Sequence, residues 1–497
     1  MMHYNLVIIG SGSANSIPGP EFANHKIALI EEGTFGGTCL NVGCIPTKMF
    51  VHTADLARQA TDGARFGLDT SLNGVDWPAI RDRIFGRIDP ISDSGEDYRE
   101  SHRDNANLDL YRGHATFVGP KEIEVSTAEG TATLTADRIV IATGSRTAIP
   151  NVAGIHDVEI FNNASVMRLD KLPESLLVLG SGYIAAELAS VFAALGVDVT
   201  IVARSGALLR SQDADISRVY TELASDSHAV ELDYNSTKVE RIDGKIHLFG
   251  VQDGRERTLV ADELLVATGR IPNADQMGLA RAGVSVKAGR VCADKYQRVL
   301  NDDGEPIDGI FTLGDVSSPY MLKHIANHEA RVVRHNLLNP NDMIEVDHRA
   351  VPAAIFGHPQ IGTVGMTQRA AAEAGIDMVI GVQKYADIAY GWAMEDTTGF
   401  VKIIADRQTT AILGCHIIGP QAPTLIQLIV QAMATGQTVR DIVRAQHWIP
   451  PAMPEVIENA LLQVIEASEA TGEGNGPAAA ENLTEADLAE DARTGAN

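Results

Sequence analysis

The residues best suited to chemistry are Cys39 and Cys44. They lie in the stretch Gly36-Gly37-Thr38-Cys39-Leu40-Asn41-Val42-Gly43-Cys44-Ile45-Pro46-Thr47-Lys48. Two cysteines five apart in a glycine-rich approach to a helix can close a disulfide across a distorted turn, and a helix N-terminus favours the thiolate. Taken alone, the spacing also fits two small buried hydrophobes. The other cysteines, Cys292 and Cys415, stand isolated and read as inert. Four cysteines in 497 residues are too few for a disulfide scaffold. A disulfide in such a chain is therefore expected to be catalytic rather than structural.

Two glycine motifs could bind dinucleotides. In the first, Gly10 permits a tight turn after the strand YNLVII, and Gly12 lets the backbone approach a pyrophosphate at an expected helix N-terminus. The third position, usually glycine, is Asn15. Glu31, at the end of the next apolar run, stands where an acid would bond an adenosine ribose; a glycine turn with a surface glutamate would read the same way. In the second motif Gly180, Gly182 and Ala185 keep the spacing. The strand that follows offers no acid but Arg204 and Arg210. Guanidinium forks suit a 2′-phosphate, which points to NADPH over NADH; the alternative is two solvated loop arginines.

These residues need elements to position them. The runs at 4–31 and 175–203 both read as strand, glycine turn and strand, the second with an alanine-rich helix between, and so predict two βαβ units. Two Ala-Thr-Gly segments, 142–144 and 267–269, each follow an apolar run and close the two halves in parallel fashion. From about 345 the texture changes. FVKIIAD and AILGCHIIG alternate like antiparallel strands and LIQLIVQAMATG reads as a helix, with no third glycine fingerprint. The expected fold is α/β, with two Rossmann-like dinucleotide-binding domains and a C-terminal α+β domain. The end, 467–497, is rich in Gly, Ala and acids and is expected to be disordered.

Charge excludes some partners. The formal net charge is −25, which opposes nucleic acid and anionic membranes. The chain opens MMHYNLVIIG, directly into a strand, without the pattern of a secretory signal, and no apolar run is long enough to span a bilayer. A cytoplasmic location is expected. His324 and His328, four apart, lack an acid or third ligand nearby, so no metal is expected. Trp392 and Trp448 are expected to pack the C-terminal domain.

GGTCLNVGCIPTK, placed directly after an FAD-type unit, resembles the redox-active segment of the pyridine nucleotide–disulfide oxidoreductases. The order of motifs is similar from about residue 4 to 466, including a second FAD motif, IFTLGDVSS. Four stretches resemble the mycothione-reducing branch in particular: GSGSANSIPGPEF, CIPTKMF, GDVSSPYMLKHIANHEARVV and AYGWAMEDTTG. Glutathione-reducing members carry an arginine on the first helix; the turn Ser13-Ala14-Asn15-Ser16 here is neutral, as a neutral sugar-linked disulfide would suit.

The resemblance implies a glutathione reductase-like homodimer using FAD and NADPH, with a small-molecule disulfide, mycothione, as substrate. It implies an FAD domain in two parts, 1–149 with the redox disulfide and 271–344, around an NADPH domain at 150–270, and an interface domain at 345–466. The expected FAD contacts are Gly10, Gly12, Ser13, Glu31, Gly37, Thr38, Lys48, His114, Ala115, Thr143, Gly144, Gly314 and Asp315. Those for NADPH are Gly180, Gly182, Tyr183, Ile184, Glu187, Arg204, Arg210 and Gly269. Cys44 would be the thiol nearer the flavin and Cys39 the one that exchanges with substrate. Lys48 and Glu187 match the family's ion pair beside the flavin.

One position departs from the pattern. The family's C-terminal segment carries a histidine five residues before a glutamate. That histidine, acting on the partner subunit, is the general acid/base, and the glutamate fixes its tautomer. The glutamate is present as Glu455, but the histidine position is Pro450. Proline has no titratable group. His447, three residues upstream, reads as a surface or interface histidine. Two readings follow: an enzyme impaired at its acid step, or a catalytically silent or diaphorase-only flavoprotein of the same fold. A related reductase such as dihydrolipoamide dehydrogenase is a further alternative.

Overall fold

The computed structural model describes residues 1–470. Its first unit is built on strands β1 (Met2–Ile9), β2 (Ile27–Glu31), β3 (Leu108–Gly119), β4 (Glu122–Thr127), β5 (Gly130–Ile141) and β6 (Ser145–Thr147), with helices α1 (Gly37–Asn41), α2 (Cys44–Asp62) and α3 (Trp77–Ser101). The run Leu6–Ile9 in β1 is buried throughout, as suits a parallel strand covered on both faces. β1 pairs in parallel with β2 and β5, and β2 with the first half of β3. The long β3 and β5 then run on into an antiparallel meander through β4.

The second unit holds β7 (Ser175–Leu179), α4 (Tyr183–Ala194), β8 (Asp198–Val202), α5 (Ala214–Ser227), β9 (Ala229–Glu231), the meander β10 (Asn235–Ile242), β11 (Lys245–Gln252), β12 (Arg255–Ala261), and β13 (Glu263–Val266). Its parallel sheet has the order β13-β7-β8-β9. Alanines let α4 lie close to the strands, and every residue of 185–192 is buried. Next come β14 (Arg270–Pro272), β15 (Val286–Lys287), β16 (Arg290–Val291), β17 (Arg298–Leu300), β18 (Pro306–Thr312) and α6 (Lys323–Leu338). β18 returns to the first sheet, parallel to β5. β14 pairs with β6, so the segments after the two Ala-Thr-Gly motifs form one ribbon.

The last unit is an antiparallel sheet, β19 (Pro352–Ile355), β20 (Ile361–Gly365), β21 (Met378–Lys384), β22 (Phe400–Asp406) and β23 (Ile412–Ile418), in the order β19-β20-β23-β22-β21. Helices α7 (Gln368–Glu373), α8 (Ala389–Met394), α9 (Ala422–Ala434), α10 (Val439–Ala445) and α11 (Glu455–Glu469) accompany it. α11 presses onto β21 where Gly381 leaves room: a Cβ there would meet Ala460 O at 2.1 Å.

Three expectations need correction. No α-helix follows β1; two short 3₁₀ turns, Ser13–Ser16 and Pro20–Phe22, take its place. Pro18, Gly19 and Pro20 interrupt any helix there. Trp392 does not pack into the C-terminal unit but is 65% exposed, its indole N–H donating to Ala386 O; Trp448 does lie against that core. The expected disordered tail begins too early, since 467–469 belong to α11; from 471 onward it lies outside the described residues. No helix among the described residues is long and apolar enough to cross a membrane.

Candidate active site

Parallel sheets gather ligand groups at the carboxyl ends of their strands, and both sheets do so here. Gly10, Glu31, Thr143 and Gly144 lie just at or past the ends of β1, β2 and β5, with Gly314 and Asp315 past β18. Gly10 has φ +109°, and a Cβ on it would strike Ala142 O at 2.3 Å. Gly180 repeats this in the second unit, with φ +145° and Ala267 O at 2.3 Å. A Cβ on Gly12, Gly144, Gly182 or Gly269 would meet nothing within 4 Å. Each unit therefore has one glycine that closes the strand crossing and others that leave an open cradle, which fits the close approach of a dinucleotide backbone.

Cys39 sits within the short α1 and Cys44 is the first residue of α2. Gly37 is packed so tightly on Gly12 that a Cβ would meet its Cα at 2.7 Å, so the redox helix rests directly on the first fingerprint. The two thiols are hydrogen-bonded. Cys44 is lowered to about 7 by the hydrogen bond from Cys39, with its own backbone N–H and the Lys48 ammonium adding to the effect. Cys39 is pushed well up, because its proton is held in that bond and the group is half-buried. Of the two sulfurs, Cys44 is the one poised as thiolate.

One turn along α2, Lys48 Nζ lies 2.8 Å from Glu187 Oε2 on α4 and 4.1 Å from the centre of the Phe356 ring. Glu187 Oε1 accepts from Phe356 N at 2.8 Å. Asp315 accepts from Ser145 Oγ at 2.6 Å, and Arg270 Nε donates to the same hydroxyl at 2.8 Å. Glu31 accepts from Ser11 N and Oγ at 2.8 and 2.6 Å and from Gly33 N at 2.8 Å. Ser13 Oγ receives a bond from Lys323 Nζ at 2.9 Å. Thr38 is exposed on α1. His114 contacts Glu32, which raises its pKa, and Gln276 O, while Ala115 is buried and can offer only main chain.

In the second unit Tyr183 and Ile184 open α4, and Arg204 and Arg210 follow β8. Among the described residues neither arginine has a carboxylate partner. Glu455 opens α11, with its Oε2 buried and unpartnered. His447 is exposed. His324 Nε2 contacts Pro352 O, and His328 Nε2 accepts from Asp347 N.

Several participants escaped sequence reasoning. Arg99 on α3 is buried and donates to Asn15 Oδ1 and to Asn105 Oδ1. It thereby ties down the turn that replaces the expected helix, and gives the asparagine at the third fingerprint position a partner. Arg270 was signalled only by its place after the second Ala-Thr-Gly. Lys323 and Phe356 had no local signal.

The profile described as Pyridine nucleotide-disulphide oxidoreductase matches residues 4–330, and that of its dimerisation domain matches 351–461. The chain is 48% identical to the mycothione reductase of Mycobacterium tuberculosis, over 93% of this chain and 99% of that one. It is 32% identical to the dihydrolipoyl dehydrogenase of Haloferax volcanii, over 93% and 97%. A solved structure, the HOCl-induced flavoprotein disulfide reductase RclA from Escherichia coli, superposes with a TM-score of 0.80 at 27% identity, covering 93% of this chain and 100% of that one. With paired thiols beside two glycine cradles, the chain belongs to the pyridine nucleotide–disulphide oxidoreductases, the FAD-dependent flavoprotein disulfide reductases.

Proposed function

We propose that this chain is an NADPH-dependent reductase of mycothione that works as a cytoplasmic homodimer. The observation that carries the reading is the 48% identity to mycothione reductase along nearly the full length of both chains. The Ser13–Ser16 turn itself contributes no charged side chain, although the Lys323 ammonium stands 2.9 Å from Ser13 Oγ, so the turn does not by itself select a neutral disulfide. The unpaired Arg204 and Arg210 favour a 2′-phosphate. The matched dimerisation domain, 351–461, supports the homodimer.

The residues at the first cradle, Gly10, Gly12, Ser13, Glu31, Gly37, Thr38, Thr143, Gly144, Gly314 and Asp315, would hold FAD, with His114 and Ala115 alongside. Gly180, Gly182, Tyr183, Ile184, Arg204, Arg210 and Gly269 would hold NADPH. The domains would follow the three units: an FAD domain from 1–149 and 271–344, an NADPH domain at 150–270 and an interface domain at 345–466. When bound, the flavin supplies a two-electron path from the nicotinamide to the Cys39–Cys44 pair.

The protein's own groups do the rest. The hydrogen bond from Cys39 and, to a smaller extent, Lys48 held by Glu187 favour the Cys44 thiolate. Cys39 gives its proton to the Cys44 thiolate to which it is bonded and attacks one sulfur of the substrate disulfide, giving a mixed disulfide and one thiolate, which takes up that proton from Cys44. The Cys44 thiolate then attacks Cys39, closing the Cys39–Cys44 disulfide and releasing the second thiolate. The second leaving thiolate needs a further proton, and Pro450 cannot supply it. That favours the second reading, a flavoprotein confined to diaphorase chemistry.

Steady-state NADPH oxidation with mycothione, glutathione disulfide and a quinone as acceptors tests both. Turnover with mycothione but not glutathione disulfide is expected. Quinone reduction without mycothione turnover favours the second reading, and faster reaction with NAD⁺ and dihydrolipoamide replaces the substrate.

A further inference from the structure

A groove of about 430 Å³ opens between the second nucleotide unit and the antiparallel sheet. Its wall carries Arg210, Gln212 and Arg218 from one side and Thr367 and Arg369 from the other. We propose that Arg369, from the dimerisation region, joins Arg210 and Arg218 in receiving the 2′-phosphate of the nucleotide, so that cofactor choice is read across the joint between two units. This rests on the NADPH reading above and extends it to residues outside the nucleotide fingerprint.

Charge is the first argument. In a chain of net charge −25, three guanidinium groups line one groove. Arg210 has no carboxylate partner among the described residues. Arg369 has only Glu373, 3.9 Å away on its own helix, with both side chains largely exposed. Arg218 reaches Glu222 at 3.3 Å through Nη1. Glu222 also lines the groove, so Arg210 is the guanidinium left without a carboxylate among the described residues, and planar guanidinium forks match phosphate oxygens.

Unmet hydrogen bonds are the second. Arg218 Nη2 is buried without a hydrogen-bond partner, and its nearest carboxylate, Asp215, lies 3.8 Å away. Gln212 Oε1 is buried without one too. Buried polar atoms are normally satisfied. Both residues line the groove but both atoms are closed to solvent, so a ligand meets them only when the Arg218 and Gln212 side chains turn outward. A phosphorylated ribose would suit the pair: its phosphate accepts and its remaining hydroxyl donates.

Rigidity is the third. Arg369 follows Gln368, whose backbone N–H donates to Asp213 Oδ2 at 3.0 Å. Asp213 caps α5 three residues after Arg210 and is bonded by the buried Lys402 of β22 at 2.8 Å. The two walls of the groove are therefore pinned to each other, and Arg369 faces it without any closure.

The test uses the holoenzyme and two probes that differ by the phosphate, 2′,5′-ADP and 5′-AMP, titrated calorimetrically. The native protein is expected to prefer 2′,5′-ADP. Arg369→Gln should weaken 2′,5′-ADP about fivefold, the scale of one exposed charge contact, and leave 5′-AMP unchanged; Arg369→Lys should restore part of the loss. If Arg369→Gln leaves both probes unchanged while Arg210→Gln weakens 2′,5′-ADP, the cross-joint role is overturned and the NADPH reading stands. If the native protein shows no preference for 2′,5′-ADP, the NADPH reading fails and this inference with it. An unchanged melting temperature in Arg369→Gln confirms that a change reports binding rather than folding.

Discussion

Lys48 and Glu187 meet at 2.8 Å although 139 residues separate them. One comes from the helix that begins at Cys44, the other from the helix of the second fingerprint, and the second oxygen of Glu187 holds the backbone of Phe356. A single ion pair thus fastens the helix that begins at Cys44, the second nucleotide unit and the start of the antiparallel sheet to one another.

That pair should set the ionisation of Cys44 with opposite signs. Lys48 lowers it and Glu187 raises it, both smaller effects than the hydrogen bond from Cys39, which does most to bring Cys44 to about 7. In a Cys39→Ser background, where the hydroxyl still donates to the sulfur, the rate of iodoacetamide alkylation should rise with pH through the Cys44 pKa. Lys48→Met should move that midpoint up and Glu187→Gln should move it down. Shifts in the same direction would contradict the electrostatic account.

Arg99 holds the turn after β1. It is 8% exposed and bonds Asn15 and Asn105 from beneath. Hydrogen bonds from a charged donor contribute about 1.5–3 kcal/mol each in favourable cases. Arg99→Met should therefore cost about 2–3 kcal/mol in urea unfolding and speed FAD release on dilution, measured by the rise of free-flavin fluorescence. Normal flavin retention in this variant would mean the turn orders itself.

How much of this was visible beforehand follows from range. The strands after each glycine turn, the cysteine pair and the acid or arginine after each second strand are local patterns; the strands form, Glu31 ends β2, Arg204 follows β8 closely, and the cysteines lie on α1 and at the start of α2. The glycine spacing predicts a helix after β1, but Pro18-Gly19-Pro20 interrupts it and short 3₁₀ turns form instead. The partners that complete the site lie far off in sequence: Arg99 for Asn15, Phe356 for Glu187, Arg270 for the Ser145–Asp315 bond. Residue type alone does not announce such partners. Trp392 misled because a large apolar ring reads as core, while its indole N–H is satisfied locally at an exposed corner.

Lys402 is 1% exposed and bonds both Asp213 and Asp215, at 2.8 and 2.6 Å. Removing one member of a buried ionic group leaves uncompensated charge, at about 3–5 kcal/mol. Lys402→Met should lose stability on that scale in denaturant unfolding. Burial alone would raise Asp213, but Lys402 and His416 outweigh it, and its pKa ends below the ordinary carboxylate value. A depressed folded pKa gives stability that is present above the unfolded value and lost as pH falls through the folded one. The native protein should therefore weaken in acid, and Lys402→Met should show a shallower acid limb. Equal limbs would mean that Asp213 does not carry this dependence.

Glu455 carries the last prediction. Its Oε2 is buried at the start of α11 without a partner, and its charge, together with burial, helps raise the neighbouring Glu458. An orphan carboxylate oxygen five residues after Pro450 is an acceptor awaiting a donor. Pro450→His would offer an imidazole N–H there and restore a titratable group at the proton-transfer step. General acid–base catalysis contributes about 10² to 10⁴ in rate. Turnover of mycothione should rise by that order while quinone reduction stays as it was, and Glu455→Gln in the Pro450→His protein should reverse most of the gain. If the native chain already matches the histidine variant, another group supplies the proton. His447 is then the first to replace, and a loss of mycothione turnover in His447→Gln alone, with quinone reduction intact, would assign it the role.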